Sequence, residues 1–238
     1  MRATWLAQVL RDAGCKVYEV PGWQARGKEL TTIEGVVWHH TATGPSWTNR
    51  RVQDLLVDGR SDLAGPLAQL GLERDGTFVV VAAGRANHNG YGTWGNQAIG
   101  IEAYNSGTGD AWPAVQVDAF DRGTAAILAH IGRGADRCKG HKETDPNRKI
   151  DPAGIDMNQA RQRVAHLITY RPPSEDDDMP YTEKELTAIV SKAVAAALVP
   201  ISKDLAEVKR QVAKSEDAKA PGGRTLRHIV ATDLNNGG

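Results

Sequence analysis

Residues 36–44 read VVWHHTATG, a short apolar run that ends in two adjacent histidines. The run predicts a buried β-strand, and neighbouring residues of a strand point to opposite faces of the sheet. His39 and His40 are therefore not expected to enter one site together. Alternation does not decide which of them takes part in chemistry. A lone histidine at a strand end is more often packed or solvent-facing than a ligand.

The sequence around this strand alternates between strand-like and helix-like patterns. Asp75 and Gly76 form a typical hairpin turn between two apolar runs, and a long helical pattern begins at Pro113. The patterns predict a helix over 49–59, a hairpin over 67–84, a strand over 97–105, and helices over 113–134 and 156–170. We therefore expect a mixed α/β fold in which helices flank a central sheet.

The composition changes near RPPSEDDDMP, residues 171–180, where paired prolines precede a run of acidic residues. Such a segment is unlike a buried core and is typical of a linker. All six tryptophans of the 238-residue chain lie before it. We expect a catalytic domain over 1–172, an acidic linker over 173–181 and a helical region over 182–238.

The helical region contains an apolar stripe at helical spacing, interrupted at Pro200. This stripe favours either self-association, with a homo-oligomer forming through residues 182–214, or packing against the main domain. An oligomerisation role and a wall-targeting role both stay open for this region.

Composition excludes several classes of partner. The formal net charge is zero, which gives no electrostatic basis for binding nucleic acid, and no apolar run is long enough for a membrane span. The first twenty residues lack the apolar stretch and cleavage site of a signal peptide, so we expect synthesis in the cytoplasm without export by the usual route. Two cysteines, Cys15 and Cys138, are expected to be free thiols.

A second informative stretch is GHKETDPNRKIDPAG, residues 140–154. Lys149 and Asp151 are two apart and would share a face of an extended chain. One histidine from the strand, together with His141 and Asp151, would form the two-nitrogen, one-oxygen ligand set of a catalytic zinc site. Spacing alone is weak support, because the ligands are about a hundred residues apart and Cys138 with His141 also resembles a zinc half-site.

Three ordered stretches, VVWHHTATG, GIEAYNSGTGDAWP and GHKETDPNRKIDPAG, resemble the zinc-dependent N-acetylmuramoyl-L-alanine amidase family. This family shares its fold with peptidoglycan recognition proteins and many phage endolysins. The resemblance covers roughly residues 30–170. In detail the sequence is most similar to endolysins of phages that infect actinobacteria.

The resemblance implies roles for five residues. The family's zinc ligands correspond to His39, His141 and Asp151, which leaves His40 as a neighbour on the opposite face. Glu102 would take the proton of the attacking water and deliver it to the departing amine. Lys149 would stabilise the oxyanion. Zn²⁺ is thus the expected cofactor.

The resemblance also points to candidates for contact with substrate. His88, Asn89 and Tyr91 in ANHNGYG are expected at the rim of a substrate groove. Trp94 and Trp112 would stack on sugar or peptide, although a tryptophan is more often part of a core.

The expected function is that of a phage endolysin that cleaves the bond between N-acetylmuramic acid and L-alanine and so lyses the host. Such an enzyme waits in the host cytoplasm until a holin opens the membrane. Two alternatives stay open: a non-catalytic peptidoglycan-binding protein of the same fold, and an intracellular amidase that recycles wall fragments. The first typically lacks a zinc ligand, and the second needs no targeting module.

Overall fold

The computed structural model describes residues 1–169 and seven later positions, which are helical and exposed: 187, 188, 191, 192, 206, 209 and 210. The chain divides into two units, Met1–Arg171 and Pro172–Gly238. The predicted linker at 173–181 lies outside the described residues. So do the predicted helical region at 182–238 and its self-association stripe, apart from those seven positions.

The first unit contains a six-stranded sheet, a two-stranded hairpin and five α-helices. In chain order the elements are α1 (Leu6–Asp12), β1 (Val17–Glu19), β2 (Val36–His40), α2 (Asn49–Asp58), β3 (Gly59–Arg60), β4 (Leu63–Ala64), β5 (Leu70–Leu72), β6 (Phe78–Val80), β7 (Ile99–Ala103), α3 (Ala114–His130), β8 (Cys138–Gly140), α4 (His141–Thr144) and α5 (Met157–Thr169). The large sheet has the order β1-β6-β5-β7-β2-β8, and β3 pairs with β4. The predicted mixed α/β fold is confirmed.

Within the large sheet every neighbouring pair is parallel except β5 with β6. That antiparallel pair is the hairpin predicted from Asp75 and Gly76. Gly76 has a φ of 83°, a left-handed conformation that glycine adopts without steric cost. The long helix begins after Pro113, which caps it in an extended conformation, as the sequence predicts.

One face of the sheet is covered by α1, α3 and α5, which enclose the main core. Trp38 of β2 is fully buried there, stacks on Phe120 with ring centroids 3.8 Å apart, and donates its indole N–H to Thr124 Oγ1 at 2.8 Å. Ile99, Ile101 and Ala103 of β7 belong to the same core. Large aromatic burial with a satisfied N–H is a strong stabilising arrangement.

The opposite face carries a smaller core. Val52 and Leu56 of α2 pack there with Val79 and Tyr104. Thr48 caps α2 by accepting a hydrogen bond from the Arg51 backbone N–H at 3.2 Å. This smaller core leaves the carboxyl end of the sheet uncovered beside β2 and β7, where polar side chains collect.

None of the helices in residues 1–169 has the length and apolar character that spanning a membrane requires. Cys15 and Cys138 are buried free thiols, as predicted.

Candidate active site

Three side chains converge where β2 ends and α4 begins. His39 Nδ1 lies 2.9 Å from both His141 Nδ1 and Asp151 Oδ2, and His141 Nδ1 lies 3.1 Å from the same carboxylate oxygen. His39 and His141 are buried, and the Asp151 side chain is 13% exposed. The structure thus brings together the three residues that the sequence singled out as metal ligands.

Parallel pairing explains how distant segments meet. β2 pairs with β7 on one side and β8 on the other, so the carboxyl ends of all three strands lie at one edge. β8 ends at Gly140, and His141 follows directly at that edge. A Cβ on Gly140 would stand 2.9 Å from Pro152 Cδ, so only glycine lets the loop that follows Asp151 pass this closely.

Lys142 holds that loop by hydrogen bonds, a role that was not predicted from the sequence. Its backbone N–H donates to the Asp151 carbonyl at 2.8 Å, and its ammonium donates to the carbonyls of Pro152 and Ile155 at 2.9 and 2.6 Å. Only its position directly after His141 hints at this role in the sequence. These bonds hold the Asp151 carboxylate against the two histidines.

His40 points away from His39 and supports the same loop. Its Nδ1 accepts a hydrogen bond from the Ala153 N–H at 3.2 Å, and its ring fills the space beside Gly107. Trp112 donates its indole N–H to the Ala153 carbonyl at 2.9 Å. The two side chains therefore hold one residue, Ala153, by its N–H and by its carbonyl.

The three contacting atoms of His39, His141 and Asp151 are better suited to bind a metal ion than to hydrogen-bond to one another. Three mutual contacts need three bridging hydrogens, and two imidazole nitrogens with one carboxylate oxygen supply at most two. Burial lowers the pKa of His39 to about 4, so its ring is neutral at pH 7 and carries a lone pair. Around tetrahedral zinc, nitrogen and oxygen ligands stand about 3.3–3.6 Å apart. The observed 2.9–3.1 Å is close to that spacing.

Glu102 and Lys149 line a hollow of about 250 Å³ together with His141 and Asp151. Glu102 pairs with His39 in the register of β7 and β2, which places both side chains on the same face. Its Oε2 is buried and has no hydrogen-bond partner among the described residues. Burial, and then the nearby charge of Asp151, raise the pKa of Glu102 to about 8.

The residues expected to contact substrate lie in different settings. His88 is 7% exposed and sits behind His39, with its edge on the hollow. Asn89 is fully buried, and its Oδ1 accepts from the Thr144 hydroxyl at 2.7 Å. Tyr91 is 84% exposed, with the Arg148 guanidinium 4.4 Å from its ring centroid.

The two tryptophans lie apart from each other. Trp94 lines a separate hollow with Arg137 and Lys139, and Trp112 packs partly buried against the main core. Their predicted contacts with substrate stay predictions.

Basic residues that the sequence analysis did not single out extend the cleft. A second hollow of about 370 Å³ shares Lys149 with the first and is lined by Arg60, Tyr91 and Arg148. Arg60 sits on the β3–β4 hairpin, whose two-residue strands are too short to show a sequence period. Asp62 and Asp145 line the same hollow and pair with Arg60 and Arg148, so the cleft is wider than the sequence indicated and carries charges of both signs.

Comparison with known proteins identifies relatives. The family profile described as N-acetylmuramoyl-L-alanine amidase matches residues 29–154. No curated protein matches the sequence.

Solved structures with the same fold include two from Clostridium intestinale URNW, the endolysin N-acetylmuramoyl-L-alanine amidase LysCS and the N-acetylmuramoyl-L-alanine amidase LysC. Each is 16% identical with a TM-score of 0.50, and the match covers 63% of this chain and 95% and 97% of theirs. The Ph2119 endolysin of a Thermus scotoductus MAT2119 bacteriophage is 18% identical with a TM-score of 0.45, over 63% of this chain and 99% of that one. At this identity the first two show the fold alone.

Proposed function

The chain belongs to the N-acetylmuramoyl-L-alanine amidase family, and from that premise we propose that it is a zinc-dependent hydrolase of peptidoglycan. The bond cleaved is the amide between the lactyl group of N-acetylmuramic acid and L-alanine. The observation that supports this most directly is the convergence of His39, His141 and Asp151 within 3.1 Å, beside Glu102, whose buried Oε2 has no hydrogen-bond partner among the described residues.

His39, His141 and Asp151 would hold the zinc, and a set of three protein ligands leaves a fourth position for water or substrate. Bound zinc supplies Lewis acidity, which lowers the pKa of water and polarises an amide carbonyl. Histidines and a carboxylate without cysteine favour a catalytic over a structural site.

Glu102 is the proposed carrier of the proton. A general base works best when its pKa lies near the working pH, and burial raises the pKa of Glu102 to about 8 in the metal-free protein. The carboxylate removes a proton from the attacking water and then gives it to the nitrogen of L-alanine as the C–N bond breaks. One group thus serves both halves of the reaction.

Lys149 is the proposed stabiliser of the oxyanion. It lines the same hollow as Glu102, next to Asp151. If the amide carbonyl binds in this hollow, a positive charge beside it favours the tetrahedral state over the planar amide.

The adjoining hollow would hold the rest of the substrate. Arg60 and Arg148 are paired with Asp62 and Asp145, so carboxylates of a stem peptide would have to compete with these pairs, and exposed Tyr91 offers a flat surface at the rim. His88, Asn89, Trp94 and Trp112 stay weaker candidates, because two of them are buried and the tryptophans lie elsewhere.

The proposed biological role is that of an endolysin from a phage of actinobacteria, acting on the wall after a holin opens the host membrane. The resemblance of the three sequence stretches supports this role. Residues 1–172 would form the catalytic domain, residues 173–181 a linker, and residues 182–238 an oligomerisation or wall-targeting module.

The test digests purified actinobacterial peptidoglycan with wild-type protein and with Glu102→Gln. We expect wild type to release new alanine amino groups, and the variant to lose most of this activity while keeping its zinc. Freed reducing sugar ends would instead indicate a glycosidase. Tight wall binding without any product would indicate a non-catalytic binding protein.

A further inference from the structure

His88 lies directly behind His39, on the side away from the candidate metal site. Its Nδ1 is 3.0 Å from His39 Nε2, and its Nε2 is 3.1 Å from the Ala98 carbonyl oxygen. The two rings meet edge to face at 83°, and the His88 residue is 7% exposed. Both nitrogens of His88 are thus in hydrogen-bonding contact.

The proton positions along this chain follow from donor and acceptor chemistry. The Ala98 carbonyl can only accept, so His88 Nε2 must carry the hydrogen. In its neutral form the His88 imidazole has one N–H, and the bond to the Ala98 carbonyl uses it. His88 Nδ1 is therefore an acceptor, and His39 Nε2 must be the donor.

This proton arrangement determines the state of the other ring nitrogen of His39, Nδ1. With its single hydrogen on Nε2, His39 presents a bare Nδ1 to His141 and Asp151. A bare nitrogen is the form that binds a metal ion. We propose that His88 is a positioning residue, which fixes the tautomer and ring orientation of His39 for zinc through the Ala98–His88–His39 hydrogen-bond chain. This inference rests on the proposed zinc site.

The fold holds the His88 ring in place from two directions. Asn96 Oδ1 accepts the backbone N–H groups of His88 and Asn89 at 3.1 and 2.8 Å, which fixes the segment. Gly100 of β7 leaves the room that the ring occupies, because a Cβ there would stand 2.6 Å from His88 Cγ. A glycine inside a strand often marks such a close approach.

Groups that orient a metal-binding histidine typically change metal affinity by about 10- to 100-fold when they are removed. The His88 contact has a donor half toward Ala98 and an acceptor half toward His39. Substitution can separate the two halves, because the amide of Asn overlaps the position of Nδ1 and the amide of Gln reaches that of Nε2.

The test measures zinc affinity of the full chain by competition with a chelating dye. His88→Asn keeps an acceptor for His39 Nε2, and we expect its zinc affinity to stay within about threefold of wild type. His88→Gln keeps the bond to Ala98 but not the acceptor, and we expect a loss of about 10- to 100-fold. Wild-type affinity in His88→Gln, or an equal loss in both variants, would overturn the proposal.

A second measurement needs no His88 variant. Long-range ¹H–¹⁵N spectra of the metal-free wild type, assigned with His39→Ala, should show His39 with its hydrogen on Nε2. A hydrogen on Nδ1 would overturn the proposal even if both variants fail to fold. Neither readout uses substrate, so a chain that meets both expectations and leaves peptidoglycan intact would refute only the proposed function.

Discussion

Replacing Glu102 with Gln should stabilise the metal-free protein at alkaline pH, although it removes the proposed catalytic proton carrier. The ordinary pKa of 4.5 applies in the unfolded chain, and burial raises it to about 8 in the folded protein. Between these values the folded state holds a proton that the unfolded state has lost. The free energy of unfolding of the wild type therefore falls as pH rises through this range. Gln cannot ionise, so the free energy of unfolding of Glu102→Gln does not fall for this reason.

The magnitude has a ceiling set by the pKa difference. At about 1.4 kcal/mol per pH unit, the shift of Glu102 corresponds to about 5 kcal/mol once the pH exceeds 8. The hollow beside Glu102 opens to solvent, and water relaxing around the carboxylate weakens the penalty. We expect Glu102→Gln to gain about 2 kcal/mol at pH 8.5 and nothing at pH 4.5.

Urea unfolding of chelator-treated wild type and variant, followed by circular dichroism at pH 4.5, 6.5 and 8.5, measures this difference. With a slope of about 2 kcal/mol/M, the variant midpoint should lie about 1 M higher at pH 8.5. The comparison at pH 4.5 is the internal control, because Glu102 is then neutral in the folded state. A difference that does not change with pH, or a variant that is less stable at pH 8.5, would refute the reasoning.

Two further predictions separate the roles of neighbouring residues. Lys149→Met should lower kcat by about 100-fold and keep zinc content at the wild-type level, measured by peptidoglycan digestion and metal analysis; an unchanged kcat would remove Lys149 from the mechanism. His39→Ala should abolish stoichiometric zinc binding. His40→Ala loses the acceptor of the Ala153 N–H and the ring beside Gly107 but no proposed ligand, so it should still bind about one zinc per chain. Equal loss of zinc in both variants would contradict the assignment of His39.

The sequence predicted the elements whose patterns are local. The strand at 36–40, the hairpin around Asp75 and Gly76 and the long helix after Pro113 all follow from apolar periodicity and turn chemistry. Alternation of side chains also predicted different contacts for the two histidines: His39 contacts His141 and Asp151, whereas His40 accepts from the Ala153 N–H. These features need no knowledge of distant parts of the chain.

What the sequence left undetermined depends on contacts between distant segments. Nothing near His88 in the sequence indicates that its ring lies behind His39, and the family resemblance suggested a groove rim instead. Gly100 was the available signal, because a glycine in the middle of a buried strand leaves room for another group. The role of Lys142 could not be predicted from the sequence either, because its ammonium donates to backbone carbonyls, which every residue has.

The arrangement of the site residues at the carboxyl edge of the sheet destabilises the metal-free fold. The three contacts among His39, His141 and Asp151 lie within 3.1 Å and have too few hydrogens to bridge all of them, and Glu102 has a buried oxygen without a partner among the described residues. Each arrangement raises the free energy of the metal-free protein, and a bound cation would relieve both. Zinc should therefore stabilise the folded chain as well as enable chemistry.

Three side chains outside the proposed ligand set hold the loop that contains Asp151. Lys142, His40 and Trp112 all bind backbone groups of residues 151–155, and none of the three belongs to the proposed ligand set. Their hydrogen bonds hold residues 151–155 in place independently of a metal ion. The ligands are thus held close to metal-binding geometry before the ion arrives, so less of the binding free energy is spent on ordering the loop.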